Sequence, residues 1–374
     1  MSAIGLVATL FLLTVVVFFH ELGHFLVARW CGVKVKAFSI GFGREICGFS
    51  DRQGTRWRLA WIPLGGYVKF MDDENAASAP SREALQRMTP AERAVSFHCK
   101  PLWQRAAVVT AGPVANFLLS IAIFATMFAL FGVTTMEPRV GNLVPDSPAA
   151  AAGFRPGDLV LSIDGREIQD FGELQYVVSQ SPGRTLTFVV DRAGQRLTLK
   201  ATPELREADD RIAGKHKRAM IGIQGSGETS KITHRLVSPV EAVSLGVQKT
   251  WDIAAGTLGY IGDVIARRQD GGQVGGVIRI ADASGQAAKL GLEWFVQLIA
   301  VISVSIGLIN LFPIPLLDGG HLLFYGIEAL RRKPLSERTQ EIGFRIGLAV
   351  VLMLLVFATW NDRLIVWRWL TGNG

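Results

Sequence analysis

Four long runs of apolar residues divide the chain and set its organisation. The runs are Ile4 to Trp30, Ala106 to Met136, Trp294 to Leu317 and Ile346 to Asn361. About 20 consecutive apolar residues are enough for a helix to cross a bilayer, and the first three runs reach that length. The fourth run is shorter, but the flanking Arg345 extends it by placing its charged end at the membrane surface. The pattern therefore predicts four transmembrane helices.

The first run is expected to remain in the mature chain. A cleaved signal peptide begins with basic residues and ends in small ones. This run has no Lys or Arg before Arg29, and Met1 to Phe19 carry no charge. We therefore predict an uncleaved transmembrane helix.

Shorter patterns between the runs indicate β-structure and one further helix. Val33 to Phe70 alternates apolar and polar residues around glycines, which predicts strands or a hairpin. Pro138 to Pro203 combines short helical and strand patterns, as a compact α+β domain does. Glu204 to Thr233 is charged and rich in glycine, which is typical of a linker, and a terminal strand is predicted near Met220 to Ile223. Val240 to Ala266 is weakly amphipathic, and this predicts an interfacial helix.

The predicted fold is a polytopic α-helical membrane protein with an inserted α+β domain and a membrane-associated β-hairpin or sheet on the cytoplasmic side. The four transmembrane segments are expected at 1–30, 106–136, 294–321 and 346–374, the last with the C-terminal tail. The segments between them are a cytoplasmic-side loop with strands (31–105), the inserted domain (137–204), a linker with the interfacial helix (205–293) and a cytoplasmic loop (322–345).

Composition and charge support a membrane protein and predict its orientation. The 374 residues are 49% hydrophobic, with a mean hydropathy of +0.30, which is too apolar for an ordinary soluble chain. Basic residues are frequent from Lys34 to Arg105 and recur at Arg331 to Lys333, so both loops are expected in the cytoplasm. The termini and residues 137–293 would then face outward. Membrane-flanking basic residues explain the net charge of +7, so we predict a lipid bilayer and no nucleic acid as a partner.

Cysteine usage does not point to a disulfide framework. The three cysteines are Cys31, Cys47 and Cys99, all in or beside the predicted cytoplasmic loop. An odd number in a reducing compartment argues against structural disulfides. No two of them have the CxxC spacing, so they are not predicted to bind zinc.

Two histidines and a glutamate interrupt the inner end of the first run, as His20-Glu21-Leu22-Gly23-His24. On a helix, His20 and His24 share one face, so both can bind one zinc ion while Glu21 takes a proton from zinc-bound water. Zinc lowers the pKa of that water toward neutrality. A five-residue pattern also arises by chance, and a pair of structural histidines is the alternative. Ionisable residues inside a membrane are costly and indicate function, which favours the metal site.

Asp318 and Asn116 are the next candidates for the site. Pro313 and Pro315 break the third run shortly before Asp318, the acid of this stretch. Catalytic zinc commonly has three protein ligands and a water, so Asp318 is predicted as the third ligand rather than as a helix cap. Asn116 lies in the second run and needs a hydrogen-bond partner in hydrocarbon. We predict that it binds the substrate or the reacting oxygen; a helix–helix contact is the alternative.

The predicted hairpin offers a place for the substrate. Gly65, Gly66, Tyr67 and Val68 are expected on a strand edge beside the active site. An extended peptide can pair with such an edge. A hairpin with a purely structural role is the alternative.

The motifs together resemble a known family. Ala151 to Val160, with Ile163-Asp164-Gly165, resembles a bacterial PDZ domain. With the H-E-L-G-H stretch and N-L-F-P-I-P-L-L-D-G-G-H at Asn310 to His321, the chain resembles the site-2 proteases, in particular the RseP-type regulator-of-sigma-E group. Gly112 to Phe117 and Gly65 to Phe70 match further stretches of that group, and the resemblance covers essentially the whole chain. One PDZ signature is legible, where many members carry two.

The resemblance implies zinc-dependent proteolysis within the bacterial inner membrane. The expected substrate is a single-pass membrane protein such as an anti-sigma factor, and a peptide partner is possible at the PDZ-like domain. Zinc would be held by His20, His24 and Asp318, with Glu21 as the general base. The resemblance also places Asn310 near the site, where it would help to hold the substrate or the oxyanion.

Two other classes of protein share part of the pattern. A membrane-anchored PDZ adaptor with a non-catalytic metal site explains the insert but not Glu21 between two histidines. A zinc transporter or sensor uses intramembrane His and Asp but needs neither a peptide-binding domain nor a strand edge. The sequence therefore predicts a membrane-embedded zinc endopeptidase.

Overall fold

The computed structural model describes residues 3–72, 88–210, 214–225, 232–267 and 275–363. Within these residues, four helices are long and apolar enough to cross a membrane: Ile4–Trp30, Leu102–Phe131, Leu292–Asn310 and Arg338–Asn361. Their number matches the number predicted from the apolar runs. The chain divides into two compact units, the first comprising Met1–Phe124, Gly246–Ala254 and Val274–Gly374, and the second Ala125–Leu245 and Ala255–Gln273.

The described elements are numbered in chain order. The helices are α1 (Ala3–Trp30), α2 (Pro90–Val95), α3 (Leu102–Phe131), α4 (Pro148–Ala151), α5 (Phe171–Ser179), α6 (Pro239–Ile265), α7 (Val277–Leu290), α8 (Leu292–Asn310), α9 (Asp318–Arg331) and α10 (Glu337–Asn361). The strands are β1 (Val35–Ser50), β2 (Arg56–Phe70), β3 (Val133–Met136), β4 (Asn142–Leu143), β5 (Leu159–Ile163), β6 (Arg166–Glu167), β7 (Leu186–Arg192), β8 (Gln195–Ala201), β9 (Glu204–Asp210), β10 (Gly214–Met220), β11 (Ile223–Gln224) and β12 (Ile232–Arg235).

In the first unit, α1 is the central helix. Its buried stripe includes Leu12 and Val16, which pack with Phe295 and Ile299 of α8 and with residues of α7. A Cβ on Gly285 of α7 would lie 3.2 Å from the Cα of Gly5, so the two backbones approach closely. Small residues at such contacts let membrane helices pack by van der Waals attraction.

The start of α7 is capped by a residue from the far end of the unit. Asp362, which follows α10, is fully buried, and its carboxylate accepts hydrogen bonds from the backbone N–H groups of Gly276 (2.8 Å) and Arg279 (3.2 Å). These groups lack partners within their own helix, so the carboxylate satisfies them.

The β-hairpin curls tightly against α1. The first half of β1 pairs with both ends of β2, so that Phe38 stands opposite both Val68 and Trp57. Phe25 of α1 packs edge-on against the rings of Phe38 (5.5 Å between centroids) and Trp57 (4.9 Å). Residues 66–70 pair with β1 on one side, and within the described residues no strand pairs with their other side. They form the free edge of the hairpin.

The segment between α8 and α9 interrupts the helical structure. It contains Pro313 and Pro315, which cannot donate backbone hydrogen bonds and end the regular helix. Gly347 of α10 packs against this segment so closely that an added Cβ would lie 1.5 Å from the carbonyl oxygen of Pro315. One helical turn earlier, a Cβ on Gly343 would lie 2.7 Å from the ring of Phe324. Helix α10 therefore supports the chain segment that leads into Asp318.

We expect Gly347→Ala to destabilise the protein by about 1–3 kcal/mol, because the new methyl group overpacks a contact with rigid backbone. The measurement is thermal unfolding of the purified protein in detergent. Gly326→Ala is the matched control, since a Cβ at that α9 position meets nothing within 4 Å. Equal unfolding temperatures for the two variants would contradict the prediction.

The structure corrects three predicted boundaries. The second apolar run ends as a helix at Phe131 rather than Met136, because Gly132 adopts a left-handed φ of 71° and the next four residues form β3, which pairs with β12. The third run ends as a helix at Asn310, before the prolines. Most of the predicted loop 322–345 is helical, because α9 continues to Arg331 and Ser336 caps α10 by accepting a hydrogen bond from Thr339 N–H (3.2 Å). The predicted tail beyond residue 363 lies outside the described residues.

The second unit contains a four-stranded antiparallel sheet in the order β6-β5-β7-β8, with α5 packed on it. Val160, Leu186 and Phe188 form the centre of its fully buried core. Asp158 is buried beside this core and accepts two hydrogen bonds of 2.7 Å from Arg192. Burial alone would raise the pKa of the Asp158 carboxyl, but the bonds from Arg192 and from the N–H of Arg155 outweigh burial and lower that pKa.

The stretch predicted as a linker contains a hairpin. Strands β9 and β10 pair antiparallel, with Lys217 opposite Glu207 and Lys215 opposite Asp209. Paired positions of opposite charge are compatible with a strand pair. The high charge of this stretch indicates a linker, but its backbone forms two paired strands. The segment Val240 to Ala266, predicted as an interfacial helix, is helical, since α6 spans Pro239–Ile265.

Candidate metal centre

Three predicted ligands meet in the first unit. His20 and His24 lie one turn apart on α1, and their Nε2 atoms are 3.2 Å from each other. Asp318 begins α9, and its Oδ2 lies 3.2 Å from Nε2 of His20 and 3.5 Å from Nε2 of His24. The helical spacing that aligned the two histidines in the sequence does align them in the structure.

The arrangement fits a zinc ion. Zinc–ligand bonds of 2.0–2.2 Å in a tetrahedral site place two ligands about 3.4 Å apart, close to the three distances between Nε2 and Oδ2 atoms. Oδ2 of Asp318 is buried and receives no well-aligned hydrogen bond from the described residues. Among these residues, His20, His24 and Asp318 are the one group of three metal-binding side chains whose ligand atoms lie within 4.8 Å of one another. Two imidazoles and one carboxylate are also a usual donor set for catalytic zinc.

The opposite edges of the two imidazole rings contact helix α3. Nδ1 of His24 lies 2.8 Å from the backbone oxygen of Val108, which orients the ring with Nε2 toward the other ligands. Nδ1 of His20 lies 3.2 Å from the side-chain amide of Asn116, which is fully buried. Such contacts behind metal-binding histidines fix the direction of the ring.

Two glycines allow α1 and α3 to meet at this point. A Cβ on Gly23 would lie 2.2 Å from the backbone oxygen of Ala111. A Cβ on Gly112 would lie 2.3 Å from Nε2 of His24 and 2.9 Å from Cε1 of His20. Gly112 thus provides the space that the two rings occupy. Which residues this glycine faces depends on how the two helices meet, and the sequence does not record that.

The three residues border a cavity of about 330 Å³. Glu21 lines it between the two histidines, and Asn310 lines it from the end of α8. The complete lining is His20, Glu21, His24, Gly66, Tyr67, Val68, Phe70, Phe97, Val108, Val109, Asn310, Leu316, Leu317, Asp318, His321 and Tyr325. The cavity is large enough for a short length of extended peptide beside the metal ligands.

The free edge of the hairpin touches Glu21. The backbone N–H of Val68 donates a hydrogen bond to the Glu21 carboxylate. A Cβ on Gly66 would lie 3.0 Å from Cγ of Glu21 and 2.7 Å from the backbone oxygen of Ser39, so the strand can pass this close only with glycine there. The strand edge and the carboxylate therefore form one continuous wall of the cavity.

A buried carboxylate anchors the aromatic wall. Asp72 follows β2 and accepts hydrogen bonds from Ser96 Oγ (2.5 Å), His98 Nδ1 (2.8 Å) and His98 N–H (3.0 Å). Burial alone would raise the pKa of Asp72, but the hydrogen bonds from His98 and Ser96 outweigh it and hold that pKa well below its usual range. The anchored turn presents Phe97, whose ring stacks on Phe70 at 4.6 Å between centroids.

Helix α9 is tied to α3 on the other side of the cavity. Arg105 donates two hydrogen bonds to Glu328, at 3.3 and 2.7 Å. The same guanidinium lies 4.9 Å from the ring centroid of Tyr325. The bidentate ion pair between Arg105 and Glu328 therefore holds α3, which carries Val108, against α9, which carries Asp318.

The structure thus brings together most, but not all, of the predicted site residues. Asn116 contacts His20 behind the metal ligands and is not part of the cavity lining. Gly65 lies against the ring of Phe42, with an added Cβ 2.6 Å from that ring. His321 and Tyr325 also line the cavity, and they are not among the site residues predicted from the sequence. Their positions three and seven residues after Asp318 on one helix were the available signal.

Comparison with known proteins agrees with this geometry. The profile of peptidase family M50 matches residues 8–354. A Mesorhizobium japonicum protein named as a zinc metalloprotease is 51% identical over 96% of this chain and 98% of its own. A Rhizobium meliloti protein with the same description is 48% identical over 97% and 96%. The metalloprotease MmpA of Caulobacter vibrioides is 41% identical over 96% and 95%. The chain therefore belongs to peptidase family M50, the site-2 protease family, and is a zinc metalloprotease.

Proposed function

We propose that this protein is a zinc-dependent intramembrane endopeptidase that cleaves the transmembrane segment of single-pass membrane proteins, such as anti-sigma factors. One observation carries the proposal: the cavity that contains the three metal ligands and Glu21 is bounded by a free strand edge. The two histidines and Glu21 belong to a helix long and apolar enough to cross a membrane. The substrate class therefore follows from where the site lies.

In the proposed mechanism, each residue has one task. A zinc ion held by these residues would supply the Lewis acidity needed to activate water and polarise the scissile carbonyl. Glu21 accepts the proton of the attacking water and later donates it to the leaving amine. Asn310 is assigned to the substrate or the oxyanion, because it lines the same cavity. His20, His24 and Asp318 hold the metal.

The substrate is proposed to lie extended along the free edge of β2. Backbone hydrogen bonds to an edge strand recognise any sequence that can unfold from its helix. Gly66 has no side chain to obstruct the edge, and Val68 N–H already contacts Glu21. A strand docked at Gly66 to Val68 therefore passes directly beside the general base.

Cysteine crosslinking tests this docking. We expect Tyr67→Cys to crosslink with substrate cysteines at every second position, because side chains alternate along a strand. The background is Glu21→Gln, with the exposed Cys47 and Cys99 changed to Ser. Arg52→Cys, in the exposed hairpin turn, is the control and should not crosslink. Crosslinking of substrate cysteines with a helical period, or equal crosslinking by Tyr67→Cys and Arg52→Cys, would show that the substrate does not pair with this edge.

The location and orientation are part of the same proposal. Basic residues of the loops support a metal site toward the cytoplasmic face of a bacterial inner membrane, with both termini and the inserted domain 137–204 on the periplasmic side. The inserted domain 137–204 is proposed to be a PDZ-like domain that binds a peptide or limits substrate access. Its four-stranded sheet with one packed helix is compatible with that role.

The deciding experiment is cleavage of a model single-pass substrate by the purified full chain in detergent. We expect a cut inside the transmembrane segment that is lost with a zinc chelator and restored by added zinc. A cut confined to soluble parts of the substrate would overturn the intramembrane assignment. If none of a panel of helix-destabilised segments is cut while one zinc is bound, the protein is better described as an adaptor.

A further inference from the structure

Asn116 occupies a rigid junction of three helices. It belongs to α3, and its side chain reaches His20 of α1. Its backbone oxygen accepts a hydrogen bond of 2.8 Å from Ser303 Oγ of α8, and a Cβ on Gly307 would lie 3.2 Å from its own Cβ. Asn116 and Ser303 are fully buried. The amide therefore has a fixed position against the imidazole ring.

The nitrogen and the oxygen of the Asn116 side-chain amide differ in their hydrogen-bond partners. Nδ2 lies 3.2 Å from Nδ1 of His20, an arrangement that suits a ring with no proton on Nδ1. Oδ1 is buried and meets no hydrogen-bond donor of the described residues. A buried polar atom without a hydrogen-bond partner destabilises the folded protein. Rotation of the amide by half a turn exchanges the two atoms without moving the backbone.

Metal binding decides between the two orientations. Nε2 of His20 faces Asp318 and His24, so a metal at this site binds Nε2. A neutral imidazole that gives its Nε2 lone pair to a metal carries its proton on Nδ1. An Nδ1–H group cannot hydrogen-bond to an amide N–H, but it can donate to an amide oxygen.

We propose that Asn116 is a positioning residue: in the metal-bound protein its Oδ1 accepts a hydrogen bond from Nδ1–H of His20 and fixes the tautomer that binds zinc. The neighbouring ligand supports this, because Nδ1 of His24 meets an oxygen, the carbonyl of Val108, at 2.8 Å. Both histidines then donate from Nδ1 to an oxygen of α3. This inference rests on the ligand set proposed above.

The test is zinc affinity, measured by competition between a chelating indicator and the purified full chain, independently of cleavage. Asn116→Leu keeps the branched shape and the number of side-chain heavy atoms but cannot accept a hydrogen bond, and we expect its zinc affinity to fall about 10- to 100-fold. Asn116→Asp keeps an acceptor and loses the donor, and we expect its affinity to stay within a few-fold of the original or to increase.

Ser120→Ala is the matched control, because Ser120 is a buried polar residue one turn further along α3 that contacts Thr250 (3.2 Å) and not a metal ligand. Its affinity should not change. Unchanged affinity in Asn116→Leu would overturn the positioning role, and an Asn116→Asp variant as weak as Asn116→Leu would overturn the acceptor role. If the unsubstituted chain itself fails to bind one zinc, the ligand set is wrong rather than the role of Asn116.

Discussion

Replacement of Glu21 by Gln is expected to abolish cleavage while zinc remains bound. The amide cannot accept the proton of the attacking water, and loss of a general base typically costs at least about 100-fold in rate. Zinc binding should persist because Glu21 is outside the group formed by His20, His24 and Asp318. The side-chain oxygen of Gln can still accept the hydrogen bond from Val68 N–H, so the cavity wall keeps its shape.

The experiment measures the rate of substrate cleavage and the zinc content of the same preparation. Glu293→Gln is the control, since this acid is exposed in the first turn of α8, and it should cleave at the unsubstituted rate. Retained cleavage in Glu21→Gln would refute the base assignment. Loss of zinc together with activity would instead show that Glu21 contributes to metal binding.

The sequence was most informative where the signal is local. Each predicted transmembrane helix corresponds to a continuous apolar run, because the hydrocarbon core of a bilayer requires apolar residues along the whole segment. The sequence singles out His20, His24 and Asp318, the proposed metal ligands, for a different reason: ionisable residues at membrane depth are expensive, so those that occur there indicate a function. Helical spacing then placed the two histidines on one face.

The sequence was least informative where partners are distant along the chain. Asn116 was predicted to face the substrate, whereas in the structure its amide contacts His20, which lies 96 positions away. The sequence of the β9–β10 hairpin predicts a linker, because its charged strands show no alternation of apolar and polar residues. Such contacts depend on which helix faces and strands meet, and hydropathy does not record that.

Gly112 is such a case, and its substitution should have a large effect. In Gly112→Ala, the new methyl group would lie 2.3 Å from Nε2 and 2.5 Å from Cε1 of His24. A shift of the ring away from this contact is opposed by the hydrogen bond between its Nδ1 and the backbone oxygen of Val108. Separation of α1 from α3 would relieve the clash, but it would also break the contact of Gly23 with Ala111. The imidazole must therefore move, and with it a metal-binding atom.

We expect zinc affinity to fall by at least about tenfold, as for other changes behind metal ligands. Cleavage at saturating zinc should fall on the order of 10²-fold, since a displacement of about 1 Å at a reacting centre has that effect. Zinc competition and cleavage would be measured on Gly112→Ala and on Gly326→Ala, the control in which the methyl group meets open space. Circular dichroism of both variants separates a displaced ligand from an unfolded chain. If folded Gly112→Ala binds zinc and cleaves like the control, α1 and α3 do not approach each other at His24 as closely as the structure describes. The metal site must then be held by Asp318 and α9 rather than by the contact between α1 and α3.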